Sequence, residues 1–248
     1  RAGDLLTREH VHDLLAHLRQ RTPHLVDDLI PQRLSGAEVH RVLGALLDEE
    51  VPIRDLEAIL ESLGDAVQGR ANYTLQDLVG DVRVALRRAI VRKHADSRGV
   101  LHLVLVESDS RATLERNLEL ATTFQPERGR WESLLPWFDR LTSLLQRLSG
   151  LGHPPVVLCR SDLRITLRDL LRQTGIQAAV LGHRELPVQA EIKLHGEVQV
   201  SGDPYADLTG VVDVRVSQAA QLGLSSSTGI SSLSEPEQLA AEQVTTAS

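Results

Sequence analysis

The stretch Val51-Pro-Ile-Arg-Asp-Leu-Glu-Ala-Ile-Leu-Glu-Ser-Leu63 decides how this chain has to be read. Pro52 fixes its own φ and biases Val51 away from the helical region, so a preceding helix stops by about Glu50 and a new one starts near Arg54. Leu56, Ile59, Leu60 and Leu63 fall at i, i+3, i+4 and i+7, a single apolar stripe, and Gly64 stands where a C-terminal cap would sit. The stretch is a corner followed by a buried helix. Asp55 is placed to accept from the free backbone N–H groups at the helix start, with Arg54 solvated beside it.

On either side of the corner the pattern is helical. Thr7 precedes Val11, Leu14, Leu15 and Leu18 and predicts a capped helix to about Arg21. Thr22-Pro23 predicts a second, short helix with an N-cap and Pro at its first position, ending near Ile30. Ser35 and Glu38 have capping-box spacing, and Val39, Val42, Leu43, Leu46 and Leu47 make the next buried face. After the corner, Gly64 to Ala71 reads as a polar link. Thr74 with Asp77 then opens a long helix lined by Leu78, Val82, Ala85, Leu86 and Ile90. Arg83, Arg87, Arg88, Arg92 and Lys93 fall mostly elsewhere, as a basic face that is either solvated or bound to an acidic partner. Residues 1–98 are therefore expected to form an all-helical subdomain.

The period changes at Gly99. Val100 to Val106 is a nearly continuous apolar run, read as a buried strand, and Arg111 to Leu120 looks helical. A further helix is expected from about Arg130 to Leu148, with Pro136 near its start. Pro155 to Cys159 reads as a strand, Ser161 as the cap of a helix from Asp162 to Arg172, and Ala178 to Leu181 as another strand. That order in so few residues predicts a parallel βαβ unit. Glu191 to Val200 alternates and predicts a strand with one wet face. Residues 99–201 are expected to form a small α/β subdomain, which makes the whole an α+β chain of several subdomains. Residues 202–248 are acidic and Ser-rich and read as mostly disordered, with Val211 to Val216 as a transient strand.

Composition narrows the chemistry. The 248 residues are 42% hydrophobic with only two each of Trp, Tyr and Phe, so the core is aliphatic and aromatic platforms for single-stranded nucleic acid are absent. The net charge is −7, and residues 201–248 carry six acids against Arg215, so five of those charges sit in the tail. The nearly neutral body gives no electrostatic case for nucleic-acid binding. Cys159 is the single cysteine, which excludes an internal disulfide and suits a reducing compartment. His10, His12 and His17 gather near Asp13 without completing a metal site, and His94 and His102 read as isolated. Cys159 with His153 lacks a group to orient a base, and no glycine-rich phosphate loop occurs. No catalytic residue, cofactor or metal is expected, and no run is long enough to span a bilayer. The chain starts at Arg1 and contains no Met, which is expected of an engineered fragment, a processed product or part of a longer protein, and the family resemblance given below favours the last.

Several strings resemble the type III protein-export gate family, which serves flagella and virulence injectisomes. They are Val51-Pro-Ile-Arg-Asp-Leu with Ile59-Leu-Glu-Ser-Leu63, Glu38 to Glu50, Leu25-Val-Asp-Asp-Leu-Ile-Pro31, the Arg-rich helix from Leu78 to Ile90, Gly152-His-Pro-Pro-Val-Val-Leu, and Ala179-Val-Leu-Gly-His-Arg-Glu-Leu-Pro187. The resemblance covers roughly residues 5–200 and places them in the later part of the family's cytoplasmic region. It implies a non-enzymatic component at the cytoplasmic face of the bacterial inner membrane, anchored through an N-terminal membrane domain. It also implies a homo-oligomeric ring, generally of nine subunits, that passes export substrates and their chaperones toward a channel. Its partners would be other export-apparatus proteins, chaperones and substrates. Arg88-Ala-Ile-Val-Arg-Lys-His with Gly99-Val-Leu-His-Leu-Val-Leu-Val is similar to flagellar members. Val51, Arg54, Asp55, Arg83 and Arg87 are the expected interface residues. On residue chemistry alone the alternative is a scaffold or peptide-binding module unrelated to secretion.

Overall fold

A computed structural model describes residues 2–107, 135–199 and 212–215. Helix α1 spans Arg8–Arg21, α2 Pro23–Leu29, α3 Gly36–Asp48, α4 Leu56–Gln68, α5 Leu75–Ala85 and α6 Arg87–His94. Thr7, Ser35 and Thr74 all close capping boxes, with His10, Glu38 and Asp77 as their reciprocal partners. Thr22 does not cap α2. Its hydroxyl donates back to the Leu18 carbonyl at 3.3 Å and so finishes α1 instead.

The corner is built as the sequence implies, and its detail explains why it is sharp. The N–H of Val51 bonds the Leu46 carbonyl at 2.8 Å and that of Glu50 bonds Leu47 at 2.9 Å, a Schellman-type closure of α3. Such a closure needs a left-handed residue, here Glu50 at φ 56° where glycine is usual. Lys93 holds it, donating to both the carbonyl and the carboxylate of Glu50 at 2.8 Å. Asp55 then caps α4 by accepting from the Ala58 N–H at 3.2 Å.

Two expectations about helix ends are corrected. Gly64 is not a cap: α4 runs on to Gln68, because Ala66 and Val67 prolong its packed face beyond Leu63. The long helix after Thr74 is split at Leu86, whose ψ of 6° separates α5 from α6 while Leu86, Ile90 and Val91 all stay buried.

The second half is a five-stranded sheet. Strand β1 spans Val100–Glu107, helix α7 Leu135–Gly150, β2 Val156–Cys159, α8 Arg164–Gln173, β3 Ala179–Gly182, β4 Glu191–Gln199 and β5 Val212–Arg215. The order is β3-β2-β1-β4-β5, parallel through β4 and antiparallel at β5. The expected parallel pair is present, with Val156 opposite Ala179 and Leu158 opposite Leu181. Ser161 does not cap α8, which starts at Arg164. Its Oγ accepts instead from the Arg184 N–H at 3.1 Å. The expected helix from Arg111 to Leu120 lies outside the described residues, as does the tail apart from β5.

Both sheet faces are covered, which is why β1 reads as a continuous apolar run. Leu101, Leu103, Val156, Leu158, Leu181 and Ile192 join the helical core, whereas Val104, Val106, Val157, Cys159 and Val198 pack with Leu141 and Leu145 of α7 and Leu167 and Leu170 of α8. Strand β4 departs from simple alternation. It carries one extra residue against β1, Leu103 facing Leu194 but Leu105 facing Glu197. Gly196 in that bulge has φ 156°, and a Cβ there would meet Leu144 at 2.8 Å.

Leu60 is fully buried on the α4 stripe, and Glu57 lies off it. Leu60→Ala is expected to cost about 2–5 kcal/mol in urea denaturation and Glu57→Ala less than about 0.5 kcal/mol. Equal losses would show the stripe to be misassigned.

Candidate functional site

The helical half and the sheet meet at a buried cluster of charges. Glu49 lies just past the end of α3 and Arg83 points inward from α5. Arg164 and Arg168 stand one turn apart on α8, and Glu185 sits in a short 3-10 turn, His183–Glu185, that follows β3. Arg83 grips Glu185 with both edges of its fork, Nε to Oε1 at 2.8 Å and Nη2 to Oε2 at 2.6 Å, and reaches Glu49 Oε2 through Nη1 at 2.9 Å. Arg164 contacts Glu49 through Nη1 and Glu185 through Nε at 3.1 Å, while Arg168 takes the other oxygen of Glu49. The side chains of Arg83, Arg164, Glu49 and Glu185 are only 3%, 3%, 6% and 4% exposed.

Charges this deep persist only because each has partners. Burial works against the Arg83 charge, but the hydrogen bonds it donates to Glu185 and the fields of Glu185 and Glu49 outweigh it and keep the guanidinium protonated. Beside the cluster, burial drives the Cys159 thiol well above its usual range, so this cysteine is an inert core residue.

A cleft of about 770 Å³ opens at the same junction. The corner residues Val51 and Pro52 form one wall, Pro154 and Pro155 with the edge strand residues Ala179 to Leu181 form another, and Lys93, His94, Arg168 and Arg172 stand at its sides. Burial, with Lys93 alongside, pushes His94 down to about 4, so it is neutral at pH 7. The arrangement offers an irregular, mixed-charge surface and holds no nucleophile with a base. Among the described residues no set of three His, Cys, Asp or Glu is placed to hold a metal ion.

The expected interface residues fall in different places. Arg54 and Asp55 are exposed at the corner, and Arg87 is half-buried at the start of α6. Val51 is buried, and Arg83, read from sequence as part of a basic face, is buried in the charge cluster. Sequence reasoning missed Glu49, Arg164, Arg168 and Glu185 altogether. The available signal was an arginine set within an apolar stripe: Arg83 lies between Val79 and Leu86, and Arg164 precedes Leu167 and Leu171 at i+3 and i+7.

The histidines also need correction. His102 is not isolated: on β1 it is buried, stacks on His153 with ring centroids 3.4 Å apart, and lies 2.8 Å from His195 of β4. His10 serves the α1 capping box, while His12 and His17 are exposed.

This fold, a helical half packed beside a mostly parallel sheet, is shared with solved structures that include a cytosolic domain from a type III secretion system. The nonameric EPEC SctV-C structure superposes with a TM-score of 0.60 at 22% identity, covering 79% of this chain and 58% of that one. The Shigella flexneri MxiA protein gives 0.60 at 21% identity, covering 77% and 60%. The FHIPEP family profile matches residues 1–191, and the chain belongs to that family. The flagellar biosynthesis protein FlhA of Escherichia coli is 32% identical over 193 residues, 78% of this chain and 27% of that protein. FlhA of Yersinia enterocolitica is 30% identical over 200 residues, 81% of this chain and 28% of that protein. The chain thus spans little more than a quarter of the length of these relatives.

Removing one carboxylate from the cluster strands buried guanidinium groups. Glu49→Gln is expected to cost about 3–5 kcal/mol in urea denaturation. Glu50→Gln, which touches only the exposed Lys93 pair, should cost no more than about 1 kcal/mol. Comparable midpoints for the two variants would contradict the weight given to the cluster.

Proposed function

We propose that this chain is the later part of the cytoplasmic region of a type III protein-export gate and works by making protein contacts within a subunit ring. The observation that carries the reading is the family match over residues 1–191 on a fold shared with nonameric SctV cytoplasmic assemblies. The branch is flagellar: FlhA relatives reach 32% identity, against 20–22% for the solved injectisome domains. The full-length protein is anchored in the bacterial inner membrane and faces the cytoplasm. It receives export substrates and chaperones and engages other apparatus proteins, as the solved complex of CdsV with CdsO in Chlamydia pneumoniae supports for that relative. The chain acts without enzymatic chemistry of its own, as a platform.

The helical half supplies the ring contact. A closed ring packs head to tail, so two different faces of each subunit meet, and surface charges set the register. Arg54 and Asp55 at the corner and Arg87 on α6 are the accessible members of the interface. Val51 and Arg83 act beneath them, Val51 by closing α3 and Arg83 by holding the sheet to the helices. Arg54→Glu and Arg87→Glu in the full-length protein should impair flagellar export while leaving the isolated chain folded by circular dichroism. Normal export by both variants would exclude those surfaces, and loss of folding would assign them a structural role.

A further inference from the structure

Where the helical half hands over to the sheet, Asp96 organises the turn from α6 into β1. Its Oδ1 accepts from the backbone N–H groups of Arg98 and Val100, both at 2.9 Å, and its Oδ2 lies 3.2 Å from His102 Nε2. That contact makes His102 an Nε2–H donor, so its Nδ1 is the acceptor for His195 Nε2–H at 2.8 Å. The chain of bonds ends at His195 Nδ1, a buried nitrogen with no protein partner among the described residues. His153, in the loop between α7 and β2, lies flat on the His102 ring, the two planes 12° apart. Its neighbours Pro154 and Pro155 are a wall of the junction cleft.

We propose that Asp96, His102, His195 and His153 form an acid-sensitive clasp that holds the Gly152–Pro155 loop, and with it one wall of the junction cleft, against strands β1 and β4. In the neutral state both side-chain hydrogen bonds of His102, to Asp96 and to His195, pair a donor with an acceptor. A first added proton puts a positive charge on the His102–His195 pair and a donor at the buried His195 Nδ1, which has no protein partner among the described residues. A second sets N–H against N–H at the 2.8 Å contact.

The groups around the pair sharpen this response. Lys193 of β4, opposite His102 in the strand register, and Arg147 of α7 both add positive charge, and the Asp96 carboxylate bonds the pair through His102. Burial first, then His102, His153, Lys193 and Arg147, push His195 down to about 4. Burial and the His102 charge lower His153 as well. A histidine whose folded value lies below its unfolded one stabilises the fold fully above about pH 6.5 and loses that contribution as pH falls toward about 4. The clasp therefore loosens on acidification between those limits.

Amide hydrogen exchange on the intact chain reads this directly, once corrected for the intrinsic pH dependence of exchange. Between about pH 7 and about pH 5, protection of residues 151–159 and 191–199 should fall on the order of tenfold. Protection of α3 and α4 should hold. His195→Gln keeps a donor for His102 Nδ1 but cannot take a proton, so it should abolish most of the acid effect. His94→Asn, which removes the depressed cleft histidine outside the clasp, should leave the effect in place. An unchanged acid response in His195→Gln, its loss in His94→Asn, or no local response in the parent chain would each overturn the proposal. Should His195→Gln fail to fold, ring-proton titration of the parent chain decides: coupled shifts of His102 and His195 support the clasp, and independent titration near about 6.5 refutes it.

Discussion

Glu49 accepts from three guanidinium groups, Arg83 from the helical half and Arg164 and Arg168 from α8, and the relation between the two halves depends on that convergence. The apolar core alone does not specify it. Leucine and valine side chains of α3, α4 and α5 share one apolar cluster with the inner face of the sheet, through contacts that are strong in sum but non-directional. The bidentate Arg83–Glu185 pair and the shared Glu49 are directional, and a small rotation of one half would leave buried charges unpaired. Hydrophobic burial supplies most of the stability, and the charge cluster selects one orientation.

The corner matters because it delivers Glu49 to that place. The Schellman closure stops α3 at Asp48, turns the chain through Glu50 and returns it along Pro52 into α4. Glu49 faces inward to the arginines, Glu50 outward to Lys93, and Arg54 and Asp55 remain on the surface. One short segment thus joins the internal lock to the face proposed for subunit contact. This gives a physical reason for a sequence signature at a turn that carries no catalytic group.

Much of the fold was legible because it rests on local rules. The capping boxes at Thr7, Ser35 and Thr74, the stripe from Leu56 to Leu63, and the parallel β2–β3 pair all follow from spacing within a few residues. The errors arise where a side chain or helix end finds a partner other than the one its spacing suggests. Ser161 and Thr22 have the chemistry of N-caps but bond Arg184 and Leu18. Gly64 looks like a helix stop until Ala66 and Val67 find the core. The candidate site was the least legible part: Arg83 and Glu185 are 102 residues apart, and His102 and His195 93, separations that no local period encodes.

The central claim is that buried charge pairing, rather than apolar contact alone, sets the orientation of the sheet on the helices. Spin labels on cysteines placed at the exposed positions Glu61 of α4 and Gln173 of α8, with the buried Cys159 left in place, allow the distance between the halves to be measured by double electron–electron resonance. A single narrow distance distribution that broadens when Glu49→Gln is added is the predicted result. A distribution already broad in the parent chain, or one equally narrow with Glu49→Gln, would contradict the account.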